Sequence, residues 1–176
     1  MDFPKRKQLR LKDYDYSRNN AYFITICTYH RAHLFGEITV GDTFAGAGPS
    51  MSPPPRGAFR LNQTHEMLEK WLRALENKYE AATIDSHVVM PDHIHFLLFI
   101  EGASAPLPEI LQWFKTQTTN EYIKGVKRGD YPPFDKRVWQ RSYYEHIVRS
   151  EQDLYETRTY IEENPLKWPR EPSDCQ

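Results

Sequence analysis

Cysteine is nearly missing: the 176-residue chain has only Cys27 and Cys175. One lies in an apolar run and the other is penultimate, so neither metal-ligand spacing nor a disulfide framework is visible, and the usage suits a reducing cytoplasm. No run reaches the roughly 18 apolar residues that a membrane span requires. The opening MDFPKRKQLRLKDYDY is charged and has no apolar centre, so it does not read as a secretory signal. Neither G-x-x-x-x-G-K-S/T nor G-x-G-x-x-G occurs, which argues against a nucleotide cofactor. An excess of one charge is missing too: 23 Lys+Arg face 24 Asp+Glu, so any electrostatic partner must be met by a local patch.

Such patches exist. Lys5, Arg6, Lys7, Arg10 and Lys12 crowd the first residues, and Lys124, Lys127, Arg128, Lys136, Arg137 and Arg141 form a second group. Each fits a solvated surface as well as phosphate binding. The length suggests one domain over residues 1–176. Within it, 1–20 form a basic N-terminal segment, and the Gly/Pro/Ser-rich 41–58 form a flexible loop inserted in the domain.

The β-branched and aromatic run Ala21–Tyr29 predicts a strand. Leu68, Trp71, Leu72, Leu75 and Tyr79 recur at helical spacing, predicting a helix over 63–79. In HVVMPDHIHFLLFI, two β-rich arms flank the turn chemistry of Pro91 and Asp92, and the second arm is apolar on both faces, as in a central strand. A helix follows Pro106 and Pro108. The spacing then predicts a strand over Val138–Val148 and a helix over Glu151–Glu163 that Pro165 stops. Strand, helix, hairpin, helix, strand and a further helix give an α+β class, a ferredoxin-like βαββαβ antiparallel sheet with a C-terminal addition.

On a strand, residues i and i+2 share a face, so His93 and His95 present two imidazoles together while Ile94 enters the opposite layer. Two such rings can share a metal or merely cap a hairpin by hydrogen bonds. Asp92 could add an oxygen, although its place in the turn favours a structural role. On the last helix, Tyr160 and Asn164 stand at i and i+4, one above the other, with Glu163 as the competing ligand. With 11 tyrosines in the chain, packing is the ordinary account of any one of them.

The segments HVVMPDHIH, VWQRSYYEHIVRSEQDLYETRTYIEENPLKW and DYDYSRNNAYFITICTYHRAHLFGEI together resemble the single-tyrosine HUH transposases, specifically the REP-associated, insertion-sequence-200-like group. The resemblance implies a ferredoxin-like sheet, an HUH motif at His93, Ile94 and His95, a nucleophile at Tyr160 and an amide ligand at Asn164. It also implies a divalent Mg²⁺ or Mn²⁺ and single-stranded hairpin DNA as partner. The activity implied is nicking and rejoining through a 5′-phosphotyrosine, that is, DNA transposition, in a bacterial-type, nucleoid-associated cytoplasmic protein. Either a monomer or a homodimer is compatible. His87 departs from the bulkier residue expected there, and the role of His146 stays open.

The chemistry suits these residues. A divalent ion stabilises charge on phosphate oxygens, and phenol, with a pKa of about 10, leaves more readily than an alkoxide, so rejoining needs no ATP. Candidate DNA contacts are Lys5, Arg6, Lys7, Arg10, Arg141 and Arg149, though solvated charge accounts for either of the last two alone. Trp113, Trp139, Tyr143 and Tyr144 are stacking candidates that an apolar core explains equally well. The alternatives are a non-cleaving DNA-hairpin-binding protein, a sheet-based RNA-binding module and a water-using metallohydrolase.

Overall fold

The computed structural model describes residues 20–38, 59–102 and 105–167. Lys5, Arg6, Lys7, Arg10 and the 41–58 loop lie outside the described residues. The elements are β1 (Asn20–Cys27), β2 (Gly36–Ile38), β3 (Phe59–Leu61), α1 (Thr64–Lys78), β4 (Ala82–Met90), β5 (His93–Ile100), α2 (Leu107–Arg128), β6 (Tyr144–Val148) and α3 (Glu151–Lys167).

Four strands form one sheet in the order β4-β5-β1-β6, with every neighbouring pair antiparallel. This is the ferredoxin-like βαββαβ arrangement, and β5 is central as its two apolar faces require. One face carries Tyr22, Ile24, Ile26, Ile94, Phe96 and Leu98 into the main core, against Leu68, Leu72 and Leu75 of α1 and Ile110, Leu111 and Phe114 of α2. The other face holds a smaller cluster of Ala21, Leu97 and Ile161, the last from α3. The two histidines of β5 share that second face with Leu97, by strand parity.

Several expectations shift. The pair β2 and β3 was not predicted; three residues each are too short to show periodicity. The last strand is Tyr144–Val148, not Val138–Val148; of the missing part, Trp139 makes an isolated bridge to Thr28 and is buried in the main core. Helix α3 continues through Pro165 to Lys167 instead of stopping before it. Proline so near a C-terminus forfeits only one intrahelical bond, and Ile161, fully buried one turn earlier, anchors the turn. Among the described residues no helix is long and apolar enough to cross a membrane.

Helix α2 ends where Gly129 takes φ 82°; the amides of Gly129 and Asp130 return to the carbonyls of Val126 and Gly125. Only glycine enters that left-handed conformation without strain. Gly125 serves differently: a Cβ there would lie 2.1 Å from Tyr131 Cδ2 and 2.6 Å from its Cγ. Gly125→Ala therefore gains about 1 kcal/mol in helix propensity but forces the whole ring aside, at about 1–3 kcal/mol. We expect net destabilisation, read as a lower urea midpoint than that of the parent protein.

Candidate active site

The site is assembled by strand register. Thr25 of β1 pairs with His95 of β5, and Cys27 with His93. His93 and His95 are both buried, and their Nε2 atoms face each other at 2.9 Å. Each ring is anchored by its other nitrogen: His93 Nδ1 lies 2.6 Å from Asp92 Oδ1, and His95 Nδ1 lies 2.8 Å from Thr25 Oγ1. Asp92 is buried in turn, and its second oxygen accepts from Arg31 Nε at 2.7 Å. Asp92 thus orients a ring.

A carboxylate only accepts, so His93 carries its proton on Nδ1 and exposes a lone pair at Nε2. His95 then donates from Nε2 to His93 and accepts the Thr25 hydroxyl at Nδ1. In the other tautomer His95 donates from Nδ1 to Thr25 Oγ1, whose hydroxyl hydrogen turns away, and both Nε2 lone pairs converge. Neutral rings oriented through their second nitrogens are what a divalent metal requires of histidine. The 2.9 Å separation is also that of two adjacent ligands about 90° apart and about 2.1 Å from one ion. The pair therefore fits a metal. Among the described residues no group of three His, Cys, Asp and Glu side chains is placed to hold one.

Tyr160 lies against His95 of this pair. Its ring is 5.3 Å from that of His95 at 75°, and 5.6 Å from that of Phe23 at 86°, while Phe23 stacks on His95 at 5.3 Å. Helix α3 is tied to the sheet on both sides. His146 Nε2 meets Asp153 at 2.8 Å near its start, and Arg158 Nε donates to Asp85 of β4 at 2.8 Å. Asn164, one turn beyond Tyr160 in the unbroken helix, is half-buried, as is Glu163.

The competing tyrosines are elsewhere. Tyr122 is fully buried, its hydroxyl donating to Pro132 O at 3.0 Å, with desolvation raising its pKa far above the phenol range. Tyr143 packs against the helix-side core, and Tyr155 is exposed. Tyr144 is exposed and edge-on to Phe23 at 6.3 Å, so it is the one stacking candidate beside the site. Trp139 belongs to the core, its Nε1 donating to Thr118, and Trp113 joins Trp71 and Tyr79 in the helix layer. His87 pairs with Phe96 and meets Glu69 of α1 at 2.7 Å, which places it on the opposite sheet face from the histidine pair. Arg141 and Arg149 are exposed. Thr25, Phe23 and Arg31 were not expected, since only non-local pairing brings them here.

A ferredoxin-like sheet that presents a histidine pair to a tyrosine on an added helix is the frame of a DNA-processing enzyme of the transposase class. The family model described as Transposase IS200 like matches residues 54–164, and the chain belongs to that family. An uncharacterised protein of Haemophilus influenzae (strain Rd) is 27% identical over 93% of this chain and 89% of its own length. A second protein of that organism, provisionally named a REP-associated tyrosine transposase, is 30% identical over 45% of this chain and 47% of its own. Among solved structures, a REP-associated tyrosine transposase bound to a REP hairpin superposes with a TM-score of 0.56 at 17% identity, covering 90% of this chain and 75% of that one. A Deinococcus radiodurans crystal structure provisionally named a transposase gives 0.50 at 17% identity, covering 87% and 95%.

Burial holds the His95 pKa well below its ordinary 6.5, with His93 and Arg31 adding in the same direction. Above that value His95 is neutral whether folded or unfolded. As pH falls below about 6.5 the unfolded chain takes up a proton that the folded chain refuses, so stability declines by up to about 1.4 kcal/mol per pH unit. Urea midpoints at pH 7 and pH 5 should drop for the parent and drop less for His95→Gln.

Proposed function

We propose that the protein nicks and rejoins single-stranded DNA beside a hairpin, with Tyr160 as nucleophile and a divalent ion at His93 and His95. The observation that carries this reading is the Tyr160 ring set edge-on against His95, whose Nε2 meets that of His93 at 2.9 Å. A hairpin substrate is drawn from the solved relative, whose structure holds a REP hairpin.

In the reaction the Tyr160 phenolic oxygen attacks the scissile phosphorus. The bond from phosphorus to the 3′-oxygen breaks, a 5′-phosphotyrosine forms, and the released 3′-oxygen takes up a proton as the phenol loses one. Attack by a 3′-hydroxyl on the same phosphorus reverses the step and rejoins a strand, with no nucleotide consumed. Mg²⁺ or Mn²⁺, when bound, supplies Lewis-acid stabilisation of the phosphate oxygens, worth several kcal/mol. His93 and His95 would hold it, with Asn164 as third donor in preference to Glu163, since the i+4 position follows the face of Tyr160 most closely. Asp92 and Thr25 keep the two rings turned toward it. Phe23 and His95, stacked on each other, both meet the tyrosine ring edge-on and so limit its approach angle. Exposed Tyr144, Arg141 and Arg149 are the described groups offered to bases and phosphates.

The test is a denaturing gel of labelled single-stranded hairpin DNA in Mg²⁺ or Mn²⁺. The parent should give a covalent protein–DNA adduct that Tyr160→Phe lacks, with folding almost untouched by the loss of one oxygen. His93→Ala and His95→Ala should still bind the hairpin but lose nicking. An adduct that persists in Tyr160→Phe would send the search to Tyr144. A parent that binds hairpin DNA without any adduct would make this a non-cleaving hairpin-binding protein.

A further inference from the structure

Three non-glycine residues among those described have positive φ: His30 at 55°, Arg31 at 56° and Lys136 at 56°. Arginine and lysine lack the short polar side chain that lets asparagine or aspartate settle there, so surrounding structure imposes the conformation. At Lys136 the amide of Arg137 returns to the carbonyl of Asp135 at 2.5 Å. Such a bond closing over a positive φ is the rare, strained form of the γ-turn.

The strained residues sit together. Tyr29 N donates to Val138 O at 2.8 Å and Gln140 N to Cys27 O at 2.9 Å, so 138–140 run alongside the end of β1. Arg137 holds its guanidinium 4.5 Å above the Tyr29 ring, and His30 lies against the same ring at 3.9 Å. Lys136 is exposed, Arg137 half-buried. Asp92 is buried and already bonded to Arg31 and His93, and Asp135, next to Lys136 in the chain, is exposed. The ledge adjoins the histidine turn: Thr28 donates from both N and Oγ1 to Asp92 O at 2.9 Å, one residue before His93.

We propose that this ledge seats the phosphodiester backbone of the unpaired strand flanking the DNA hairpin. Arg137 meets a phosphate with a guanidinium held in place by the Tyr29 ring, and Lys136 meets its neighbour. Ordering a guanidinium before binding removes part of the entropy cost of the contact. The strand to be cut has to cross the histidine pair, and the ledge is the cationic surface that this strand meets at the turn before His93. The inference rests on the hairpin-DNA reading above and adds the site that takes the flank.

Fluorescence anisotropy on the full chain carrying Tyr160→Phe, which forms no covalent product, tests this. The probes are one labelled hairpin with a short unpaired flank and the same hairpin without it. Arg137→Gln and Lys136→Gly should each weaken binding of the flanked hairpin roughly five- to tenfold and lower its salt slope by about one, with the bare hairpin unaffected. Lys136→Gly also relieves the backbone, so it should melt no lower than the parent, separating lost affinity from lost fold. Unchanged affinity for the flanked hairpin, or equal losses on both probes, would overturn the ledge while leaving the hairpin reading in place. A parent that binds neither probe would overturn the hairpin reading, and the ledge with it.

Discussion

The structure depends on the register between β1 and β5. Because Thr25 faces His95 and Cys27 faces His93, a hydroxyl meets the second histidine and the turn residue Asp92 meets the first. A slip of one residue would turn both imidazoles into the helix layer and bring Ile94 out. The apolar face of β5 prevents that slip: Ile94, Phe96, Leu98 and Ile100 are all fully buried against α1 and α2. Ordinary core packing thus fixes the polar chain from Arg31 through Asp92 and His93 to His95 and Thr25.

The tyrosine arrives on a different footing. Helix α3 follows β6 after only Arg149 and Ser150, and it crosses the sheet face to reach β4. What fastens it is a small apolar cluster around Ile161 and two solvent-facing polar pairs, the hydrogen-bonded His146 and Asp153 and the ion pair of Arg158 with Asp85. Exposed pairs of this kind contribute about 0–1 kcal/mol each. The two histidines therefore stand on a strand buried on both faces, and Tyr160 stands on a helix held to the sheet by few contacts.

Much of this was legible in the chain because the signals are local. The i, i+2 histidines, the turn at Pro91 and Asp92, and the i, i+4 spacing of Tyr160 and Asn164 all lie within short windows. The apolar HFLLFI run likewise announced a central strand. Thr25, Phe23 and Arg31 were illegible because their roles exist only through contacts across more than 60 residues, as the 70-residue separation of Thr25 and His95 shows. Trp139 stayed open between stacking and core for a related reason: aromatic character does not say which side of a sheet a residue takes, and this one joins the main core. Pro165 misled because the rule for helix interiors weakens where so few backbone bonds remain to be lost.

The contact between the two imidazoles bears on how the protein is made. A buried polar atom without a partner is costly, and many metal centres leave several such atoms bare until an ion arrives, which couples their folding to supply of the ion. Here each ring nitrogen already has a partner, the Nε2 atoms having each other. A newly synthesised chain can therefore complete its sheet in ion-poor surroundings, because no ring nitrogen of the pair waits for an ion to satisfy it.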